Sequence, residues 1–370
     1  MGTVEAFGCA DPASDRFLLH TYRQTESSAR PLILVHGANR TAEYFLDPHE
    51  DGSFRDPLPQ ALADAGFAVY AVTFAHNQDD NWWWCEALQE AILTVSRMHD
   101  GKPVSLVAHS KGGIAARLAA TPWRPSPDCT RDLSDRVDRL ILMGTPNGGV
   151  DFFFRYPSVN LAFSGPGEEA VLNWPTSWHQ LRRDGEWSDL AIWYGAEDNF
   201  YPGQAQLLGR WRESYPLPGR SAEEEMTYEG GESKNGRCLG IDRVMELTGQ
   251  LIPKLRLRPP AEQVRVGLLA GASPTMPGVL NDTSGPSDGI IFVESALEFP
   301  DSARLVGVEA VPFHHKALIA EPAAQAKIVE MLLAEQELNS EQIEQKRREG
   351  LELGQRLLAT SVVAEKGAWG

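Results

Sequence analysis

Short, mostly apolar runs recur along the chain, and in most of them the apolar residues follow one another instead of alternating with polar residues. Continuous apolar runs of this length are typical of strands that are buried on both faces of a sheet. The seven clearest runs are 17–23, 31–37, 67–74, 103–110, 137–146, 264–271 and 303–311. Segments with helical spacing of apolar residues lie between them, at 58–66, 84–100 and 112–120. This alternation predicts an α/β fold with a mostly parallel central sheet and helices on both of its faces.

One long stretch departs from this alternation. Residues 148–262 are rich in Trp, Pro and Gly, and we interpret them as an inserted cap or lid above the strand ends. Within them, the acidic stretch 221–237 is expected to form a mobile loop. The predicted core therefore comes in two parts, 1–147 and 263–335, and a helical C-terminal extension follows at 336–370.

The tail from about 322 to 365 has two different helical patterns. Its first part is amphipathic, and we expect it to pack on the sheet as a terminal helix. Its second part is strongly charged, and we expect it to be a solvated extension. The alternative for the tail is a helix that pairs two copies of the chain as a homodimer.

Composition and charge exclude several classes of partner. The chain has 370 residues, of which 42% are hydrophobic, so it can bury a substantial core without disulfides or metals. A net charge of −17 argues against binding to nucleic acid or to anionic membranes. No apolar stretch is long enough to span a bilayer, and no signal peptide is visible. We expect a cytoplasmic protein, although a secreted protein whose signal peptide has been removed would show the same features.

The segment 107–113, with the sequence VAHSKGG, places a serine directly after an apolar strand. A sharp strand-to-helix turn lifts such a side chain clear of the sheet, and the positions two before and two after it must then be small. Here these positions are Ala108 and Gly112, and Gly113 follows. The pattern A-x-S-x-G between a strand and a small-residue helix therefore predicts a nucleophile at Ser110.

These residues resemble the α/β-hydrolase family, and in particular its bacterial lipase and esterase branch. LILVHGA (32–38) is similar to the lipase strand that leads into the oxyanion loop, and LILMGTPNGG (140–149) resembles the strand after the nucleophile helix. The resemblance covers most of 17–147 and 264–335. It implies the α/β-hydrolase fold and a catalytic triad in the chain order Ser, Asp, His.

The resemblance also implies which acid and base complete the triad. The segment SDGII looks like the lipase loop that carries the catalytic acid, which points to Asp288. The spacing H-x-x-L after the last strand selects His315 as the base, with His314 as the alternative. Asp198, in a Gly-x-x-Asp pattern at a second strand end, is the alternative acid. Its distance from the histidine along the chain favours Asp288.

The resemblance places the oxyanion hole at two backbone N–H groups, those of Lys111 and Ala38. The side chain of Lys111 is expected to point to solvent and to have no chemical role. His36 is expected to stabilise the loop at the end of its strand. No cofactor and no metal are expected, since no ligand spacing is visible.

Two aromatic clusters bear on the substrate. Trp82 and Trp83, with Phe152 and Phe153, either line an acyl or alcohol pocket or pin the insertion onto the sheet, and the two roles are compatible. We therefore expect a serine hydrolase that cleaves carboxylic esters of hydrophobic acyl groups through an acyl-enzyme. The alternatives are a thioesterase or an acyltransferase of secondary metabolism and, from another class, a binding module of the same fold without catalysis.

Overall fold

The computed structural model describes residues 7, 13–22, 29–47, 57–76, 78–124, 132–156, 178–183, 185–189, 202–217, 221–234, 236–277 and 281–368. The chain divides into two compact units. The first consists of Met1–Asn77, Trp82–Gly148 and Leu255–Gly370, and the second of Gln78–Asn81 and Gly149–Lys254.

The described strands follow the predicted apolar runs closely. In chain order they are β1 (Phe17–Thr21), β2 (Arg30–Val35), β3 (Phe67–Phe74), β4 (Val104–His109), β5 (Val137–Met143), β6 (Trp178–Arg183), β7 (Glu186–Asp189), β8 (Gly231–Glu232), β9 (Gly236–Cys238), β10 (Arg265–Gly271) and β11 (Arg304–Val311). The seven strands outside the predicted insertion form one sheet in the order β1-β3-β2-β4-β5-β10-β11. All neighbours pair in parallel except β1, which is antiparallel to β3. The predicted α/β fold with a mostly parallel sheet is therefore confirmed.

The described α-helices connect these strands and extend the chain beyond them. They are α1 (Leu58–Asp64), α2 (Asn81–Met98), α3 (Lys111–Ala120), α4 (Phe152–Arg155), α5 (Pro202–Ala205), α6 (Ala222–Glu229), α7 (Ile241–Leu247), α8 (Leu251–Arg256), α9 (Val293–Leu297), α10 (Pro322–Leu333) and α11 (Ser340–Ala368). Prolines stand in the first turns of α1 and α10, where the missing N–H has no helical partner to lose.

Both faces of the sheet are covered, as the continuous apolar runs predict. On one face, Leu34 of β2 belongs to a buried cluster with Leu58 of α1 and Ile328 of α10. Successive side chains of a strand point to opposite faces, so Ile33 and Val35 lie on the other face, and they are buried too. Helix α3, which packs against β4 and β5, has only buried residues.

The parallel arrangement of the strands also determines where a functional site can form. Ser110 follows β4, Asp288 lies in the connection after β10, and His315 follows β11. The carboxyl ends of parallel strands lie along one edge of the sheet, which is the edge where such folds place their sites. Three residues far apart in the chain therefore lie at the same edge.

The second unit contains a small antiparallel sheet in the order β7-β6-β9-β8. Our expectation of a mobile loop over 221–237 is wrong, because this stretch forms α6 and the hairpin of β8 and β9. The hydroxyl of Ser221 accepts from the Glu224 N–H, and the Glu224 carboxylate accepts from the Ser221 N–H. This reciprocal capping box stabilises the start of a helix whose acidic composition alone favours a loop. The role of the insertion as a lid stays a prediction.

The charged tail forms one long helix, α11, which packs on β11 and α9 of its own unit. The pairing of two copies through this helix stays a prediction. Among the described helices, none combines the length and the apolar composition that crossing a membrane requires.

Candidate active site

Ser110 lies at a sharp turn between β4 and α3. Its backbone has φ 55° and ψ −131°, a conformation that costs a residue other than glycine about 1–3 kcal/mol. The Ser110 N–H donates to the carbonyl of Met143 on β5 at 2.9 Å, which holds the turn against the sheet. The side chain is partly exposed, although the strand before it is buried. The turn thus presents the hydroxyl at the edge of the sheet.

The small residues beside Ser110 are required by close packing. A methyl group on Gly112 would lie 2.2 Å from the His36 carbonyl oxygen and 2.9 Å from that of Val35. On Gly113 it would lie 1.9 Å from the Thr145 hydroxyl. Non-bonded atoms do not approach so closely. Helix α3 can therefore begin here only because these positions lack side chains.

Asp288 and His315 form a buried hydrogen-bonded pair. Nδ1 of His315 lies 2.7 Å from Oδ2 of Asp288, and the two residues are 7% and 0% exposed. A carboxylate accepts hydrogen bonds, so Nδ1 of His315 donates, and in the neutral form of the imidazole the lone pair is then on Nε2. His315 opens a short 3-10 turn, His315–Leu318, shortly after the end of β11 at Val311. This arrangement leaves the histidine oriented to act as a base.

The backbone around Asp288 holds its carboxylate in place. The N–H groups of Ile290 and Ile291 donate to Oδ1 at 3.1 and 2.8 Å, so Oδ2 is left for the histidine. The His315 N–H also donates to the Asp288 carbonyl at 2.9 Å. The two apolar residues of the SDGII segment thus supply the N–H groups that orient the acid.

The backbone at the end of β5 adjoins both the serine turn and the acid–histidine pair. Met143 accepts from the Ser110 N–H, and a methyl group on the next residue, Gly144, would lie 3.0 Å from Nδ1 of His315 and 3.2 Å from Oδ2 of Asp288. The φ of Gly144 is +53°. The structure thus brings Ser110, Asp288 and His315 to one edge of the sheet. Their catalytic roles stay predictions.

The alternative base, His314, has a different environment. Its Nδ1 accepts from the Ala317 N–H at 3.3 Å and so caps the turn that His315 opens. Partial burial, opposed by the charge of Asp288, lowers the pKa of the His314 imidazole below its usual value. The structure therefore joins His315, and not His314, to the acid.

His109, next to the serine, is buried against His315. Its Nε2 lies 3.1 Å from the His315 carbonyl, and the two rings lie 4.7 Å apart. Burial, and then the neighbouring His315, hold the pKa of the His109 imidazole well below its usual value. Its Nε2–H therefore donates to the backbone of His315 and supports that residue's position.

The expectation that the Lys111 side chain points to solvent is wrong. Lys111 is fully buried, and its Nζ lies 3.1 Å from the centre of the Trp84 ring. Trp84 stacks on Phe74 and contacts His36 edge-on. The attraction between an ammonium and the electron-rich face of an indole offsets part of the cost of burying the charge. The first residue of α3 is therefore anchored in an aromatic cluster.

His36 stabilises the end of its strand, as we expected. Its Nδ1 donates to the Gly37 carbonyl at 2.8 Å, and its Nε2 accepts from the Phe74 N–H at 3.3 Å. The second contact requires a neutral imidazole, because an imidazolium has no lone pair with which to accept. Burial, assisted by the charge of Lys111, lowers the pKa of His36 to about 3.

The residues predicted for the oxyanion hole lie on the two segments that meet at Ser110. Lys111 opens α3, and Ala38 lies in the turn after β2. A methyl group on Gly37, the neighbour of Ala38, would lie 2.9 Å from Cβ of Ser110. Asn39, with φ 57°, continues this turn. The role of the two N–H groups stays a prediction.

The aromatic residues predicted for a pocket have varied environments. Trp82 contacts Trp123 edge-on, whereas Trp83 is 49% exposed. Phe152 is buried against Tyr156. Phe153 belongs to α4. A pocket lined by these residues stays a prediction. The alternative acid, Asp198, lies outside the described residues.

Two features of the site went unnoticed in the sequence. The buried member of the Trp cluster is Trp84, and the signal for it is its helical spacing with Leu88 and Val95, which are buried on the same face of α2. The second is the buried guanidinium of Arg117 on α3, whose Nη1 donates to Oδ1 of Asn147 at 3.0 Å. Burial lowers the pKa of Arg117 to about 9.

The assembled groups suit nucleophilic chemistry. A partly exposed hydroxyl lies at the same edge as an imidazole, and a buried carboxylate orients that imidazole. This combination activates a weak nucleophile toward a carbonyl carbon. Among the described residues, no three His, Cys, Asp or Glu side chains are grouped as a metal site requires.

Comparison with known proteins identifies the family. A profile described as "Alpha/beta hydrolase family" matches residues 32–308, well over half of the chain. The chain therefore belongs to the alpha/beta hydrolase family, which supports a hydrolase activity for it. No curated protein matches the chain.

Several solved structures are similar to the chain. A mature lipase from Bacillus licheniformis, BlEst2, is 15% identical with a TM-score of 0.45, over 87% of this chain and 100% of that one. The lin2722 gene product of Listeria innocua is 14% identical with a TM-score of 0.41, over 85% and 97%. Est1E from Butyrivibrio proteoclasticus, solved with ferulic acid, is 12% identical with a TM-score of 0.39, over 86% and 95%.

Proposed function

We propose that the chain is a serine hydrolase that cleaves carboxylic esters of hydrophobic acyl groups through an acyl-enzyme. The observation that carries this proposal is the buried 2.7 Å contact between Nδ1 of His315 and Oδ2 of Asp288, at the sheet edge where Ser110 is presented. Membership of the alpha/beta hydrolase family supports the reaction class.

In the first half-reaction, Oγ of Ser110 bonds to the acyl carbon while its proton moves to Nε2 of His315. The bond between the acyl carbon and the leaving oxygen then breaks, and this oxygen takes the proton from His315. In the second half-reaction, a water gives its proton to His315 as it attacks the acyl carbon. The bond to Ser110 breaks, the carboxylic acid leaves and the serine regains its proton. Asp288 keeps His315 in the required tautomer and stabilises its charged form throughout.

The N–H groups of Lys111 and Ala38 would stabilise the oxyanion that forms at the acyl oxygen. Lys111 is the first residue of α3, and N–H groups in the first turn of a helix point out of it with a partial positive charge. The contact of its side chain with Trp84 restrains the backbone at this position. A fixed donor costs no reorganisation during the reaction, which is why its position matters.

The test is intact-mass analysis after exposure to a small alkyl fluorophosphonate, with Ser110→Ala as the matched variant. The proposal expects one adduct on the wild type, as Oγ of Ser110 bonds to phosphorus and fluoride leaves, and no adduct on Ser110→Ala. A correctly folded wild type that takes up no probe would contradict the proposal and favour a binding module without catalysis. An adduct that persists in Ser110→Ala would place the nucleophile elsewhere.

The substrate class is tested on the same two proteins with matched esters and thioesters of short and long acyl chains. The proposal expects faster turnover of the long-chain esters and no turnover by Ser110→Ala. A preference for thioesters, or for transfer of the acyl group to an added alcohol over water, would contradict the ester hydrolase while keeping the nucleophile.

A further inference from the structure

The C-terminal helix α11 lies against the loop that carries Asp288. A methyl group on Gly354 would lie 2.7 Å from Cβ of Pro286 and 3.3 Å from Cγ2 of Val293. Pro286 precedes Asp288 by two residues, and its carbonyl accepts from the Val293 N–H at 2.9 Å. Carbon atoms in contact are normally about 3.5–4.0 Å apart. The backbone of α11 therefore contacts the outer side of the acid loop directly.

A second contact fixes α11 to α9, the helix that follows the acid loop. The Arg347 guanidinium donates from Nε to the Leu297 carbonyl at 3.2 Å and from Nη2 to the Phe299 carbonyl at 3.4 Å. Leu297 is the last residue of α9, where the carbonyls lack helical partners and carry a partial negative charge. A partly buried arginine at this position thus satisfies the end of the helix and attaches it to α11.

A third contact joins α11 to the strand that leads to His315. A methyl group on Gly350 would lie 3.0 Å from Cβ of Ala310 on β11, and Nζ of Lys346 lies 3.0 Å from Oε1 of Glu309 on the same strand. Glycine is unfavourable inside a helix, so helix formation alone does not account for Gly350 and Gly354. Close approach to the acid loop and to β11 does.

We propose that α11 is a positioning element for hydrolysis, an inference that rests on the proposed function. It holds the segments that carry Asp288 and His315 in one arrangement, so that Oδ2 of Asp288 and Nδ1 of His315 stay within hydrogen-bonding distance. The loop has internal hydrogen bonds of its own, such as that from the Asp282 N–H to the Gly289 carbonyl at 2.8 Å. Its outer side at Pro286 is covered by Gly354 of α11. The charged tail would therefore act on the reaction through the acid, without contacting the substrate.

The experiment compares two neighbouring arginines of α11. Arg347 binds the carbonyls at the end of α9, whereas Arg348 is exposed. The proposal expects the rate constant of Ser110 phosphonylation to fall for Arg347→Ala by roughly ten- to hundredfold, the range for a small misplacement of a catalytic group. Arg348→Ala should stay within twofold of the wild type. Equal rate constants for both variants and the wild type would overturn the positioning role and leave the proposed function intact.

A second pair of variants covers the case in which Arg347→Ala fails to fold. Gly354→Ala adds one methyl group toward Pro286, whereas Gln355→Ala changes an exposed neighbour. Gly354→Ala should slow phosphonylation, although alanine favours the helix more than glycine does. A rate equal to that of Gln355→Ala would contradict the proposal.

Two readouts separate positioning from mere stability. The proton that His315 shares with Asp288 should give a downfield ¹H resonance in the wild type, and this resonance should shift or broaden in Arg347→Ala at a temperature where both proteins are folded. In an Asp288→Asn background, Arg347→Ala should slow phosphonylation no further, because its effect acts through Asp288. An unchanged resonance, or fully multiplicative losses, would overturn the proposal. If the folded wild type is not phosphonylated at all, the proposed function fails, and this inference fails with it.

Discussion

Replacing Asp288 by asparagine should remove most of the activity and leave the fold in place. Oδ1 of Asp288 accepts the N–H groups of Ile290 and Ile291, whereas Oδ2 faces Nδ1 of His315. An asparagine must place its carbonyl oxygen where these two N–H groups donate. Its NH2 group then faces His315 and donates to Nδ1. The histidine is thereby held in the tautomer that carries its proton on Nε2 and cannot accept one from Ser110.

The size of the loss follows from the charge that is removed. In the tetrahedral intermediate His315 is an imidazolium next to a buried carboxylate. With about 4 Å between the charge centres and an effective dielectric constant of about 20, their attraction is about 4 kcal/mol. Each 1.36 kcal/mol corresponds to a tenfold change in rate, so the loss is about 10³-fold from the charge alone. The wrong tautomer raises it toward about 10⁴-fold, the loss for the same change in a serine protease.

The assay is kcat/KM for a chromogenic long-chain ester, with thermal unfolding measured in parallel to show that the variant is folded. Asp198→Asn serves as the control, since Asp198 is the alternative acid in the sequence. Its kcat/KM should stay within about tenfold of the wild type, because a residue outside the triad does not stabilise the transition state directly. A folded Asp288→Asn variant with activity near that of the wild type would refute the reasoning. So would a larger loss in Asp198→Asn.

Two further predictions concern histidines. His315→Ala should lose activity by several orders of magnitude, because it removes the base that Asp288 orients. His314→Ala removes only a turn cap and should stay within about tenfold of the wild type in the same assay. The reverse result would exchange the roles of the two histidines. His36 is neutral in the folded chain down to about pH 3 but takes up a proton near pH 6.5 when unfolded, so stability should fall as the pH drops from 6.5 toward 3. At pH 5 the expected loss in the free energy of unfolding is about 2 kcal/mol, which urea unfolding would measure. His36→Gln should remove that part of the pH dependence. An identical pH dependence in the variant would contradict the prediction.

Much of the fold could be predicted because strands and turns have local causes. A mostly apolar run such as β4 is stable as a strand only where both faces of the sheet are covered. The turn at Ser110 was equally local, since the small residues at Gly112 and Gly113 are required by atoms that any such turn brings close. The acidic composition of 221–237 led to the prediction of a loop where α6 lies. The sequence does contain a signal for this helix, the capping box formed by Ser221 and Glu224.

The direction of individual side chains could not be predicted so well. Lys111 was expected in solvent because charged residues on short helices are usually exposed. Its burial depends on Trp84, a residue on another helix whose position relative to α3 only the packed sheet determines. The charged second part of the tail was expected to be solvated, yet Gly354 contacts the acid loop and Arg347 binds carbonyls at the end of α9. No local pattern shows which distant carbonyls or which proline will lie beneath such residues.

The sequence by itself determined the order of strands and helices in the core, the sharp turn at Ser110 and the residue types suited to a triad, because backbone preferences and apolar periodicity act over a few neighbours. Only the tertiary structure decided that Asp288 binds His315 and not His314, that two backbone N–H groups orient this acid, and that α11 covers its loop. These contacts join residues far apart in the chain, and their geometry depends on how parallel strands align at one edge of the sheet.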